Sequence, residues 1–128
     1  MKEPYWLTRG EALSLHGLML SDYGGLEGVR DENMPESALA KPRHKFEYGK
    51  PTMTELAASY AVGVVRNHPF LDGNKRTGFM LATGFLERNG YDFTATEADA
   101  AVRTLALAAG AMSEAAYAAW LEANSKRR

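Results

Sequence analysis

The sequence predicts an all-α protein, a compact helical bundle, and three observations carry that expectation. Apolar residues recur at helical spacing through Leu56, Ala57, Tyr60, Ala61, Val64 and Val65, and again through Phe79, Ala82, Phe85 and Leu86. Two capping boxes, Thr8-Arg9-Gly10-Glu11 and Thr52-Met53-Thr54-Glu55, mark helix starts. Proline and glycine fall at the ends of these runs, with Pro69 closing one and Asn89-Gly90 the other. At 128 residues the chain is read as one domain, 1–128, able to bury roughly two-thirds of its unfolded surface.

The first helix starts at Thr8 and turns Ala12, Leu15, Leu18 and Met19 inward. His16 lies beside that stripe and reads as a core-edge histidine bonded to a backbone carbonyl. Tyr23-Gly24-Gly25 ends the helix, and Leu26 to Asn33 follows as an irregular loop. Met34 to Leu39 forms a short helix with Pro35 in its first turn, stopped by Pro42. Arg43 to Lys50 has no helical stripe and sits between two prolines, so a solvated loop or a two-stranded flap suits it.

Thr52 begins the helix that leads to His68, with Arg66 in its last turn. Arg66 either favours the helix dipole or makes a further phosphate or target contact. After Gly90, Tyr91-Asp92-Phe93 crosses the surface with its aromatics tucked in. Thr96 starts a helix with Val102, Leu105, Ala106 and Ala109 inward, ending at Gly110. Ser113 starts the last helix, its buried face formed by Ala116, Tyr117, Trp120 and Leu121. Lys126-Arg127-Arg128 reads as a frayed, solvated tail.

Between the two strongest helical runs lies His68-Pro69-Phe70-Leu71-Asp72-Gly73-Asn74-Lys75-Arg76. Such a loop opens with an imidazole, offers a carboxylate, and ends with two cations at a helix N-terminus. Free backbone N–H groups and the positive end of the dipole suit phosphate there. His68 has an ordinary pKa of about 6.5, suited to taking a proton from a hydroxyl. Asp72 is a hard-oxygen ligand for Mg²⁺. Gly73 leaves room for backbone to approach a phosphate, Asn74 can donate an amide bond to it, and Lys75 and Arg76 can stabilise a transferring phosphoryl group. Phe70 reads as an anchor into the core.

This stretch resembles the signature of the Fic/Doc superfamily, H-x-F-x-[D/E]-G-N-G-R, in the form of its death-on-curing (Doc) toxins, which carry Lys at the position of Lys75. His16 followed by Tyr23-Gly24-Gly25-Leu26-Glu27-Gly28 resembles the Y-G-G-x-x-G segment of the same branch. The resemblance implies a Fic/Doc-type bundle with a short β-hairpin flap, placed at Arg43 to Lys50, that registers a target's backbone beside the site. It also implies catalytic roles for His68, Asp72, Lys75 and Arg76, nucleotide contacts from Gly73, Asn74, Lys75, Arg76 and Arg66, and Mg²⁺ on Asp72.

Adenylylating Fic members carry Gly where this chain has Lys75, and a second Arg where it has Phe79. In Doc-type proteins the nucleotide is held the other way round, presenting its γ-phosphate. The resemblance therefore implies a protein kinase using ATP and Mg²⁺, acting on a threonine of elongation factor Tu, stopping translation, and neutralised by a cognate antitoxin. A Fic-type adenylyltransferase and a non-catalytic nucleotide-binding protein are the alternatives. No Walker A or protein kinase signature occurs.

A formal net charge of -1 gives no global attraction to nucleic acid or to an anionic membrane. Without cysteine the chain has no disulfide, no thiolate zinc site and no Cys nucleophile. No signal peptide or spanning run is visible, so a cytoplasmic location is expected.

Overall fold

A computed structural model describes residues 2–30 and 33–128. The elements run α1 (Arg9–Tyr23), α2 (Met34–Glu47), α3 (Met53–Asn67), α4 (Asn74–Arg88), β1 (Tyr91–Phe93), α5 (Glu97–Ala108), α6 (Glu114–Ala123) and β2 (Ser125–Arg127). The all-α architecture stands as expected, with one short two-stranded antiparallel sheet. Both capping boxes are formed, each with the threonine hydroxyl accepting from the N3 backbone and the glutamate reaching back. No helix among the described residues is long and apolar enough to cross a membrane.

Helix α3 is the axis of the bundle, packed by α2, α4, α5 and α6. Its burial extends beyond the apolar stripe: Ala58, Ser59, Val62 and Gly63 are enclosed as well. Small residues make this possible. A Cβ on Gly63 would stand 3.1 Å from the Ala38 carbonyl oxygen, and one on Gly78 would stand 2.8 Å from Val65 Cγ1, so α2 and α4 both approach closer than larger residues permit. Around this axis Phe85 is fully buried between the rings of Trp6 and Tyr60.

Several expectations are corrected. Pro42 does not stop α2; the helix runs through it to Glu47, so Arg43 to Lys50 forms no flap. An internal proline costs about 3 kcal/mol. Here that cost is offset by tertiary contacts on either side of the proline. Phe46 meets Trp6 edge-on at 5.6 Å, Arg43 lies over the same indole, and Lys41 and Lys45 both bind Glu114 of α6.

The strands lie elsewhere. Lys126 and Arg127 are not frayed but pair with β1, in the register Tyr91↔Arg127, Asp92↔Lys126 and Phe93↔Ser125. Arg128 then donates to Asp92 and to the Glu87 carbonyl. Tyr91 and Phe93 are half-buried and Asp92 is exposed, as the strand period requires.

The inward face of α5 is also different. Val102, Leu105 and Ala109 are exposed and Ala106 is half-buried, while Ala100, Thr104 and Leu107 face the core. That stripe keeps helical spacing but includes a polar member. Thr104 is tolerated because its hydroxyl bonds the buried Tyr117 hydroxyl at 2.9 Å, whose pKa burial pushes up to about 12. Leu18 and Ala116, expected inside, are exposed.

Candidate active site

Helix α3 ends at Asn67, and His68 caps it in the left-handed conformation, φ 50°, ψ 57°. It is the one non-glycine residue with positive φ among those described. This turn lifts the imidazole out of the helix and starts the loop. Phe70, 2% exposed, then drives into the core as expected. The Asn74 side chain closes the loop: its Oδ1 accepts from the Phe70 N–H at 3.1 Å, and its Nδ2 donates to the Phe70 carbonyl at 3.0 Å. The amide expected on a phosphate is thus engaged in holding the loop's shape.

The stretch after α1, read from sequence as an irregular loop, is the loop's other support. Val29 forms an antiparallel bridge with Phe70, with Arg30 N–H donating to Pro69 O at 2.9 Å and Leu71 N–H to Gly28 O at 3.1 Å. Residues 31 and 32 of that stretch lie outside the described residues. Asp72 accepts from the Gly73 N–H at 2.8 Å and from the Leu26 N–H at 3.2 Å, one bond to each carboxylate oxygen. Gly25, at φ 131°, passes so close that a Cβ there would lie 2.9 Å from Asp72 Oδ2. Gly73, at φ 76°, packs on Met19, whose Cε would stand 2.0 Å from a Cβ at that position. Positive φ and close approach together favour glycine at each place.

Helix α4 begins unlike four of its neighbours. Helices α1, α3, α5 and α6 each have a Thr or Ser side chain capping the N-terminus and an acid in the first turn. Helix α4 has neither; its cap is Gly73, and its first turn carries Lys75 and Arg76. Cations at a helix N-terminus oppose the dipole, by about 0.3–1 kcal/mol each. An arrangement that leaves N–H groups uncapped and adds two positive charges is stabilised by an anion.

A groove of about 1020 Å³ opens in front of this turn. His68, Asp72, Gly73, Asn74, Lys75 and Arg76 line it together, with the end of α1 and the exposed flank of α5 as its walls. The volume is that of sites for mid-sized organic ligands. Arg76 lies with its guanidinium 3.9 Å from the centre of the Tyr23 ring. Phe79 reaches the groove but packs against Phe93 and Trp120. Arg66 is not brought into the groove; its guanidinium points to the Met112 carbonyl at 3.4 Å.

Sequence reasoning missed Met19, Tyr23, Gly25 and Leu26 as parts of this site. The paired glycines were the available signal, since they mark close approach without naming what approaches.

The fold and the site together define a member of the Fic/DOC family. The model of that family, described as Fic/DOC family, matches residues 6–86, and the chain belongs to it. Among curated proteins, the chain is 38% identical over 81 residues to the protein kinase doc of Escherichia phage P1, covering 62% of this chain and 64% of the phage protein. It is 37% identical over 76 residues to the toxin Doc of Mycolicibacterium smegmatis, covering 57% and 58% respectively. The matched stretch thus spans about three-fifths of each relative's length.

Proposed function

We propose that residues 1–128 act as one domain, a Doc-type toxin that transfers the γ-phosphate of ATP to a hydroxyl of a protein target in the cytoplasm. The observation that carries this reading is the uncapped, doubly cationic N-terminus of α4 opening onto the groove shared by His68 and Asp72. The names of the two relatives, a protein kinase and a toxin, support the same direction.

In this reading the His68 imidazole takes the proton of the target hydroxyl as its oxygen attacks the γ-phosphorus. The new P–O bond forms to the target while the bond from the γ-phosphorus to the β,γ-bridging oxygen breaks, leaving ADP. Lys75 and Arg76, with the N–H groups of the first turn, stabilise charge on the equatorial and leaving oxygens. The left-handed turn at His68 sets the imidazole at the mouth of the groove, where a target side chain enters.

The donor set fits Mg²⁺. Each Asp72 oxygen accepts one N–H and keeps a lone pair, and Asp22 also lines the groove. The described residues contain no cluster of three or more His, Cys, Asp or Glu that could hold a metal alone. Asp72 with nucleotide oxygens and water would complete such a site, and the ion would neutralise phosphate charge when bound.

The target proposed by resemblance is a threonine of elongation factor Tu. Its backbone is proposed to register beside the stretch 25–30, whose Val29 already bridges Phe70 next to the site. A cognate antitoxin is proposed to cover the groove, where Tyr23, Leu71 and Leu105 expose apolar surface.

The test follows γ-labelled and α-labelled ATP separately, with elongation factor Tu as acceptor. Transfer of the γ label that is lost in His68→Ala is expected. Transfer of the α label would replace this reading with adenylylation, and no transfer of either label would leave a nucleotide-binding protein.

A further inference from the structure

His16 is 5% exposed on the inner face of α1, and two contacts tie it to the loop 56 residues away. Its Nε2 lies 2.8 Å from the Asp72 carbonyl oxygen, and its ring stacks on Phe70 with centroids 3.8 Å apart and planes 11° from parallel. A carbonyl only accepts, so Nε2 carries the proton. The accepting carbonyl belongs to the peptide that joins Asp72 to Gly73. The N–H of the same peptide, on Gly73, donates to Asp72 Oδ1 at 2.8 Å, so its orientation sets the support of the carboxylate and how the N-terminus of α4 meets the groove.

The other restraints on this peptide do not act on its carbonyl. Leu26 and Gly73 hold the carboxylate, Asn74 holds Phe70, and Met19 fills the space beside Gly73. The imidazole joins the two ends of the turn, pressing on the Phe70 ring with its face and holding Asp72 with its edge.

We infer that His16 is a positioning residue for phosphoryl transfer, fixing the Asp72–Gly73 peptide so that carboxylate and helix N-terminus bear on the same ligand. This rests on the kinase reading of the groove, and the experiment separates the two. His16→Phe keeps a ring to stack and removes the donor; His16→Gln keeps an amide N–H within reach and removes the ring. Thermal melting establishes that both variants are folded.

At saturating Mg-ATP, turnover of His16→Phe is expected to fall on the order of 10-fold to 100-fold, with His16→Gln retaining most of the wild-type rate, as for residues that orient a ligand from behind. Full turnover in His16→Phe, or equal loss in both variants, would overturn the assignment. If the wild-type protein transfers no label, the kinase reading fails by itself, and amide hydrogen exchange at Phe70, Leu71 and Gly73 decides the positioning role. Faster exchange in His16→Phe than in His16→Gln supports it; equal rates refute it. Nitrogen-15 spectra of the wild-type imidazole give an independent reading, with a proton expected on Nε2 and an unprotonated Nε2 contradicting the bond.

Discussion

At the scale of single residues, His68, the proposed base, sits in strained backbone. A side chain at φ 50° costs about 1–2 kcal/mol relative to ordinary helical backbone, a cost that glycine escapes. Glycine adds unfolded-state entropy of about 0.5–1 kcal/mol, so the two effects nearly offset. His68→Gly is therefore expected to melt within a few degrees of the wild type while losing γ-phosphate transfer. Equal loss of stability and activity would make the histidine a structural cap. On the proposed reading, Lys75→Gly removes a cation from the transferring group and is expected to lower γ-transfer on the order of 10²-fold. It also opens room for the other nucleotide pose, so weak transfer of an α label is the second readout. Undiminished γ-transfer would make Lys75 a solvated cation.

At the scale of elements, α2 shows how tertiary contacts carry a helix past a proline. Glu114 is the far anchor of that arrangement, accepting from Lys41 at 3.0 Å and Lys45 at 2.8 Å. Burial pushes its carboxyl up, but the bonds and charges of Lys45 and Lys41 outweigh it and leave the pKa below its ordinary 4.5. A carboxyl lowered in the fold contributes stability above its unfolded pKa and loses it as pH falls through the folded one. Melting temperature should thus be independent of this group above about pH 5 and fall more steeply below it in the wild type than in Glu114→Gln. Parallel melting curves for the two proteins from about pH 5 to pH 3 would remove the ion pairs from the account of α2. The α5 helix offers a different test. Leu105 is 56% exposed and lines the groove, so Leu105→Glu should leave the melting temperature unchanged. The same change should weaken a groove-bound antitoxin by roughly tenfold, as for an apolar interface contact of about 1–2 kcal/mol. Unchanged affinity would place the partner elsewhere.

At the scale of the whole molecule, what local spacing alone encodes was legible. Both capping boxes, the ends of α3 and α4, and the signature loop with its imidazole, carboxylate and cations depend on residues a few positions apart. Hydrogen bonds and side-chain sterics over one or two turns decide them, so the order of residue types carries the answer. His68, Asp72, Gly73, Asn74, Lys75 and Arg76 line one groove for the same reason: nine consecutive residues cannot scatter far. The tertiary structure decided everything that depends on which distant surfaces meet. It carried α2 through Pro42, paired the C-terminal Ser125–Arg127 with Tyr91–Phe93, turned Val102 and Leu105 outward, and directed Arg66 away from the groove. It also gave His16 its partner and set Leu26 on Asp72. These outcomes rest on packing free energies summed over contacts between segments remote in the chain, and such sums override a local preference of a few kcal/mol without leaving any periodic trace in the sequence.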